Sequence, residues 1–148
     1  MMMGVEIRRL TAEDLAVALR LGHLLDGPAD EAATRRFLAS ASHHWLVAYV
    51  DGQPAGFVTG VELTHPDKGT EMFLYELGVD AAFRRQGLGR QLTAALAVVA
   101  RERGCYGMWV ATEPDNAAAL ATYRAAGATS SEPAIVLGWT FGEVDSTT

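Results

Sequence analysis

The order of apolar and polar residues divides the chain into six segments typical of strands and four typical of helices. Strands are predicted at residues 5–10, 43–50, 55–64, 71–79, 105–112 and 134–141. Helices are predicted at residues 11–25, 30–41, 88–103 and 116–126. The order is β-α-α-β-β-β-α-β-α-β, with room for a short strand near Thr129. Three consecutive antiparallel strands followed by β-α-β units predict an α+β fold with a mixed, mostly antiparallel sheet.

The bulk composition is that of a single soluble domain, residues 1–148. Hydrophobic residues make up 49% of the chain and charged residues 20%, as in ordinary globular proteins. The single cysteine allows no intrachain disulfide, which fits a reducing compartment. Arg8 and Arg9 interrupt the N-terminal segment before a signal sequence develops, and the longest apolar run, residues 94–100, is too short for a membrane helix. We therefore expect a cytoplasmic protein with no membrane partner.

The charges are unevenly distributed. Twelve basic and eighteen acidic residues give a net charge of −6, which argues against nucleic acid as a partner. Residues 81–90 nevertheless contain three arginines and no acidic residue, so the rest of the chain carries −9. This contrast suggests an anionic ligand at the arginine-rich segment and a cationic ligand elsewhere, although net negative charge also serves solubility alone.

A glycine-rich segment, FRRQGLGRQL at residues 83–92, joins a predicted strand to a predicted helix. The unpaired N–H groups of a helix N-terminus favour an anion, and glycine lets a phosphate approach the backbone closely. The ATP-binding pattern GxxxxGK[ST] is not met, since Lys68 is the only lysine in the chain. The dinucleotide pattern GxGxxG is not met either, because Leu92 stands at its third position and seven residues separate the strand from Gly87.

The pattern R-x-x-G-x-G at residues 84–89 resembles the acetyl-CoA pyrophosphate loop of the GNAT N-acetyltransferase superfamily. In that superfamily the loop follows the fourth strand of the same element order and precedes a helix with the pattern N-x-x-A-x-x-x-Y-x-x-x-G. This chain has Asn116, Ala119, Tyr123 and Gly127 at those spacings. The resemblance covers about residues 5–142 and implies a GNAT fold, a sheet of six to seven strands flanked by about four helices.

The resemblance also implies how the co-substrate binds. Acetyl-CoA is the expected co-substrate, and no metal is expected. The pantetheine arm would lie along the fourth strand, and the pyrophosphate would contact the backbone N–H groups of the loop. Residues expected to contact acetyl-CoA are Leu77, Gly78, Val79, Arg84, Arg85, Gln86, Gly87, Leu88, Gly89, Arg90 and Asn116. Asn116 is also expected to cap the helix that follows it.

Acetyl transfer to an amine requires that the amine be neutral, and a lysine-like amine has a pKa of about 10.4 in water. A base is therefore needed near the thioester. Glu76 is the candidate, either as that base or as a carboxylate that anchors the amine, because it lies in an apolar strand where burying a charge is costly. The alternative is an ordinary carboxylate at a solvated sheet edge. Regular alternation places Glu76 on the same face as Met72, Leu74 and Gly78, and Leu77 on the opposite face.

Tyr123 matches the position of the tyrosine that protonates the leaving CoA thiolate in the superfamily. Tyrosine titrates near pH 10 and a thiol near 8.5, so we expect an effect on turnover of roughly tens of fold. The alternative is an aromatic side chain that only packs in the core.

Residues 75–89 and 104–128 are similar to the aminoglycoside 3-N-acetyltransferases of the gentamicin-resistance type, with Glu76 where that family has Asp and Gly78 where it has Ala. The resemblance implies acetylation of a primary amine of a cationic small molecule, with an aminoglycoside as the best guess, and hence antibiotic resistance. A cationic acceptor requires an acidic site, expected from Glu76, Glu113 and Asp115. Further candidates are Glu62, Glu71, Glu143 and Asp145.

Other interpretations of the function stay open. Polyamines, amino sugars and protein N-termini are alternative acceptors, and a non-catalytic acyl-CoA-binding module is the alternative of a different class. A homodimer is expected from the resemblance alone.

Overall fold

The computed structural model describes residues 4–142 of the chain. Its strands are β1 (Val5–Arg9), β2 (His43–Val50), β3 (Gln53–His65), β4 (Gly69–Val79) and β5 (Met108–Trp109). Its α-helices are α1 (Leu15–Leu19), α2 (Glu31–Ala39), α3 (Leu88–Glu102) and α4 (Ala117–Ala125). No helix among these residues is long and apolar enough to cross a membrane.

The strands form one sheet in the order β1-β2-β3-β4-β5. The first four are antiparallel to their neighbours, and β5 runs parallel to β4. The predicted α+β class with a mixed, mostly antiparallel sheet is confirmed. The described residues form five strands, where six to seven were expected.

Local sequence explains the ends of several elements. The β2–β3 hairpin turns at Asp51 and Gly52, whose φ angles of 48° and 82° are the positive values that a two-residue Asp-Gly turn requires. Before the first helix, Thr11 and Asp14 form a capping box, in which each side chain accepts a hydrogen bond from the other end of the turn.

Helices cover the sheet on both faces. On one face α3 packs its buried side chains Leu88, Leu92 and Leu96 against Met72 and Leu74 of β4. On the other face α1 and α2 pack against β2 and β3. The buried residues of that second cluster are Leu10, Ala18, Leu21, Trp45, Val47 and Phe57.

Three elements are shorter than predicted or absent. The helix predicted over residues 11–25 is α-helical only at Leu15–Leu19, with short 3-10 turns on either side. The strand predicted over residues 105–112 is only Met108–Trp109. Residues 134–141 form no strand in the structure, and their apolar side chains are exposed. A strand requires a pairing partner, and alternation predicts a face without predicting that partner.

A partly buried polar contact joins β2, β3 and the C-terminal end of α3. The Nε2 atom of His44 lies 2.7 Å from Oε2 of Glu62, and the Nε atom of Arg103 donates to the same oxygen at 2.9 Å. The His44 side chain is fully buried and its Nδ1 atom has no hydrogen-bond partner. Burial lowers the pKa of His44 and so favours the neutral imidazole. Of the two neutral tautomers, only the one with its proton on Nε2 donates to the carboxylate.

Candidate functional site

The central feature of the site is a β-bulge in β4. Thr59 of β3 pairs with Glu76 and Gly60 pairs with Leu74, so Tyr75 is an extra residue with no counterpart on β3. The bulge reverses the alternation beyond Tyr75. Leu77 therefore packs against the α3 cluster on the same face as Met72 and Leu74. Regular alternation had predicted Leu77 on the opposite face from these two residues.

Glu76 consequently faces α1 and α2, away from the face of Met72 and Leu74. The sequence prediction of its face was wrong, because one extra residue in a strand shifts every following side chain to the other face. Gly78, two residues on, lies on the same face as Glu76. A Cβ atom built on Gly78 would lie 2.7 Å from Cε1 of Phe57 and 3.1 Å from the carbonyl oxygen of Leu24. The alanine that the aminoglycoside 3-N-acetyltransferases have at this position therefore does not fit here.

Glu76 is partly buried and its charge is disfavoured. Its backbone N–H donates to the buried hydroxyl of Thr59 at 3.1 Å, which fixes the strand at this point. Burial raises the pKa of the Glu76 carboxyl, and the negative charge of Asp26 raises it further. A carboxylate with a raised pKa is a stronger base than an exposed one, and is suited to accept a proton from an ammonium group.

The segment between α1 and α2 forms the other wall of this region. The carbonyl of Leu24 lies over Gly78, and Nε2 of His23 lies 3.7 Å from Oδ2 of Asp80 at the end of β4. This segment carries Asp26, whose negative charge contributes to the raised pKa of Glu76. Asp26 was not among the residues predicted from the sequence. An available signal was its place in the DGPAD turn between two predicted helices, directly before Gly27 and Pro28.

Beyond the bulge, one edge of β4 is open. In the described residues β5 pairs only with Met72 and Phe73 of β4. The N–H of Asp80 donates to the carbonyl of Ala55 on β3, and alternate residues of a strand face the same neighbour. The backbone groups of Leu77 and Val79 therefore face the open edge. An extended chain carrying amide groups, such as pantetheine, fits this edge.

The glycine-rich loop lies at the N-terminus of α3, as predicted. Gly87 caps the helix with φ 76°, and a Cβ atom on it would meet nothing within 4 Å, so the backbone is accessible. The first helical hydrogen bond runs from the N–H of Gln91 to the carbonyl of Gly87, which leaves the preceding three N–H groups available for an anion. These N–H groups belong to Leu88, Gly89 and Arg90.

The side chains of the loop divide into two groups. Arg84, Arg85, Gln86 and Arg90 are exposed, and Nε of Arg84 donates to the carbonyl of Val79 at 3.4 Å. Leu88 is buried in the α3 cluster, so only its backbone is available to a co-substrate.

Helix α4 packs beside this loop. A Cβ atom on Gly89 would lie 3.2 Å from Cγ2 of Thr122, so the two helices meet closely at that point. Tyr123 is partly buried against the α3 cluster, and burial raises the pKa of its phenol. Asn116 caps α4 as predicted, since its Oδ1 accepts from the N–H of Ala119 at 3.0 Å.

The other acidic candidates lie in different surroundings. Glu113 and Asp115 lie in an exposed turn before α4. Glu62 is engaged by His44 and Arg103, and Glu71 accepts from Tyr106 at 3.0 Å and bonds His65 at 2.9 Å. The two C-terminal candidates at positions 143 and 145 lie outside the described residues.

Comparisons with known proteins identify the family and the fold. The family model described as acetyltransferase (GNAT) family matches residues 11–128. The N-alpha-acetyltransferase RimI of Mycobacterium tuberculosis is 34% identical over 102 residues, which are 69% of this chain and 62% of that protein. This chain thus spans less than two thirds of that relative's length.

Two solved structures show the same fold. An aminoglycoside acetyltransferase, meta-AAC0020, from an uncultured soil metagenomic sample in complex with trehalose has a TM-score of 0.84 and 23% identity, covering 93% of this chain and 97% of that one. The aminoglycoside N-acetyltransferase AAC(6')-Iy in complex with CoA has a TM-score of 0.76 and 23% identity, covering 94% and 97%.

The superfamily resemblance is thereby confirmed. The finer resemblance, to the aminoglycoside 3-N-acetyltransferases, is not confirmed. The relatives described above include an enzyme named for the 6' position and an N-alpha-acetyltransferase RimI. The chain belongs to the acetyltransferase (GNAT) family.

Proposed function

We propose that the protein transfers an acetyl group from acetyl-CoA to a primary amine of a cationic small molecule, with an aminoglycoside as the leading acceptor class. The observation that carries this proposal is the position of Glu76. It lies at a bulge, next to the open edge of β4, with a raised pKa and with Asp26 nearby. Two neighbouring carboxylates suit an acceptor that carries several positive charges.

The residues of this chain support each step of such a transfer. The backbone of Leu77 and Val79 would align the pantetheine arm, and the N–H groups at the start of α3 would hold the pyrophosphate. Exposed arginines of the loop would add positive charge. Acetyl-CoA therefore fits the groups that the open edge and the loop present.

The proton transfers follow from the two candidate side chains. Glu76 would take a proton from the ammonium group, or would anchor the ammonium group while a water molecule takes the proton. The neutral nitrogen would then attack the thioester carbonyl carbon. As the new C–N bond forms, the C–S bond breaks and the electron pair leaves on sulfur. Tyr123 would give its proton to the thiolate; burial keeps this phenol protonated by raising its pKa. The nitrogen would lose its second proton as the amide forms, and this proton would return through water to the tyrosinate, while Glu76 would release the first proton to solvent.

A second candidate acceptor is the α-amine of a protein or peptide. It is favoured by the 34% identity to an N-alpha-acetyltransferase over 69% of this chain. The face of the sheet near Glu76 also exposes Tyr75 and Trp109, which an extended peptide could contact. Acetylation at the 3-N position and a homodimeric state are finer parts of the proposal.

The test is release of CoA thiol with gentamicin, kanamycin, spermidine and an alanine-initiated peptide as acceptors. We expect release with an aminoglycoside, and a drop in kcat of about 100-fold or more in Glu76→Gln with unchanged CoA affinity. The matched control is Glu102→Gln, an exposed carboxylate on α3, which should keep wild-type turnover.

Each contrary result has a clear meaning. Release of CoA thiol with the peptide and with no other acceptor would mean that protein N-termini, not aminoglycosides, are the acceptor class. Unchanged kcat in Glu76→Gln would remove Glu76 from the mechanism. CoA binding without release for any amine would favour a non-catalytic acyl-CoA-binding module. NMR of the acetylated product would identify the nitrogen and so test the 3-N position.

A further inference from the structure

Asp80, the first residue after β4, connects three parts of the structure. Its N–H donates to the carbonyl of Ala55 on β3, which fixes the end of the strand. Its Oδ1 atom accepts from the N–H of Ala82 at 2.9 Å, and its carbonyl accepts from the N–H of Phe83. Asp80 thereby caps the short turn that leads into the glycine-rich loop. Its Oδ2 atom lies 3.7 Å from Nε2 of His23, in the segment between α1 and α2.

The α1–α2 segment, residues 22–27, lies against the end of β4 on the face of Glu76. The carbonyl of Leu24 lies over Gly78, where an added Cβ atom would approach it to 3.1 Å. The negative charge of Asp26 contributes to the raised pKa of Glu76. A glycine stands at each end of the segment, and an open cavity of about 780 Å³ borders it. The segment therefore has room to move relative to β4.

The contact between His23 and Asp80 matters more for binding than for folding. The two side chains are 49% and 30% exposed, and a contact between groups of this exposure adds little to the free energy of folding. The same small energy is enough to change an affinity several-fold. The contact also lies between two groups of binding residues, the glycine-rich loop on one side and Glu76 with Asp26 on the other.

We propose that Asp80 is a positioning residue that couples the co-substrate loop to the acceptor side of the site. Acetyl-CoA at the loop favours the capped turn at residues 81–83, and a bound amine favours the docked α1–α2 segment. The contact with His23 links these two conformations. Bound co-substrate therefore raises the affinity for the acceptor, and the acceptor raises the affinity for the co-substrate by the same factor. The acceptor part of this inference rests on the function proposed above.

The first test needs no acceptor and measures hydrogen exchange with CoA as the probe. The N–H groups of Leu24 and Leu25 donate within the short turn of the segment, so their exchange rates report how firmly the segment is held. We expect CoA to slow their exchange at least about fivefold in the wild type and not in Asp80→Asn. The asparagine can still accept from Ala82, but it carries no charge for His23.

The second test measures the coupling itself by calorimetric titration with gentamicin, without CoA and with saturating CoA. We expect CoA to lower the gentamicin dissociation constant at least about fivefold in the wild type, and less than about twofold in Asp80→Asn and in His23→Gln. The double variant should show no further loss, because both substitutions remove the same contact. The affinity for CoA alone should stay near the wild-type value in all three variants.

The matched control is Asp30→Asn. The Oδ1 atom of Asp30 accepts from the N–H of Ala33 at 2.8 Å and so caps α2. This substitution also replaces a capping carboxylate by an amide, but at the start of α2 instead of at the end of β4. It should keep the wild-type coupling.

Three results would overturn the proposal. The first is a wild type in which CoA does not slow the exchange of Leu24 and Leu25. The second is wild-type coupling in Asp80→Asn, and the third is a loss of CoA affinity in that variant, because Asp80 would then serve the loop alone. If gentamicin does not bind to the wild type, the aminoglycoside acceptor is wrong, and the exchange measurement decides the inference about Asp80 by itself.

Discussion

At the scale of single residues, Glu76 and Glu71 occupy the same strand but opposite electrostatic environments. Burial and then the charge of Asp26 raise the pKa of Glu76. A hydrogen bond with His65 is the main cause that lowers the pKa of Glu71. The folded state therefore disfavours the ionised form of Glu76 and favours that of Glu71.

These shifts predict opposite effects of the two amide substitutions on stability. A raised pKa means that Glu76 stabilises the fold below its unfolded pKa of about 4.3, and that this contribution is lost as pH rises through the higher folded value. Glu76→Gln should thus have a higher free energy of unfolding than the wild type at pH 8, and this difference should be smaller at pH 4. Glu71→Gln should be less stable than the wild type at pH 8. Chemical denaturation at the two pH values measures both, and a Glu76→Gln gain that does not grow with pH would contradict the assignment.

Sequence alone could single out Glu76 as a candidate, because a carboxylate stands out in an apolar strand. It could not predict its face, since the alternation rule assumes a regular ladder and Tyr75 is not distinguished by type from an ordinary strand residue. Asp26 was missed for a related reason. Its nearness to Glu76 depends on how the α1–α2 segment packs over Gly78, which is a tertiary contact.

At the scale of elements, the glycine-rich loop and α4 meet at Gly89 and Thr122. A Cβ atom on Gly89 would lie 3.2 Å from the methyl group of Thr122, so any side chain at position 89 would have two effects. It would enter the space of a bound pyrophosphate, and it would press on α4. A substitution at Gly89 alone does not separate these effects.

A double variant does separate them. Gly89→Ala should weaken CoA binding by at least about tenfold, or 1.4 kcal/mol, because the added methyl group blocks the approach of the phosphate. Thr122→Ser removes the methyl group that the new Cβ meets, so Gly89→Ala/Thr122→Ser should remain equally weak. Calorimetric titration with CoA measures both. Restored affinity in the double variant would mean that the loss came from displacing α4, and unchanged affinity in Gly89→Ala would mean that the loop does not hold the pyrophosphate.

Elements were predictable where their signals are local. The Asp-Gly hairpin, the capping box at Thr11 and the Asn116 cap depend on a few adjacent residues, and all three form. The strands predicted at 105–112 and 134–141 are shorter or absent in the structure because a strand is stable only with a partner. Within residues 4–142, residues 134–141 pair with no strand and β5 has a neighbour on one side only.

At the scale of the whole molecule, the contact of His44, Glu62 and Arg103 connects two strands to the end of α3. Burial lowers the pKa of His44 despite its hydrogen bond with Glu62, and Arg9 and Arg103 lower it further. Protonating Nδ1 would also bury an N–H without an acceptor. For Glu62, burial acts to raise the pKa, but the hydrogen bonds from His44 and Arg103 together bring it below its usual value.

The lowered pKa of His44 predicts that acid destabilises the whole fold. Stability is fully present above the unfolded histidine pKa of about 6.5 and falls as pH drops below it, because only the unfolded chain takes up the proton there. His44→Gln keeps a donor for Glu62 and cannot titrate, so it should lose less stability between pH 7 and pH 5 than the wild type. His44→Ala should instead be less stable than the wild type at pH 7 by at least about 2 kcal/mol, because it leaves a cavity and removes the donor to Glu62. Denaturant titrations at several pH values measure this, and a His44→Gln profile parallel to the wild type would exclude His44 as the titrating group.

The bulge at Tyr75 has a consequence for how such a protein can diversify. Tyr75 is the one β4 residue without a counterpart on β3, and its side chain is 60% exposed. The direction of Glu76 depends on there being an extra residue at this place and not on which residue it is. Position 75 can therefore change its side chain beside Glu76 at little cost to the core. If Glu76 meets the acceptor as proposed, this is a place where acceptor preference can evolve while the fold and the carboxylate stay as they are.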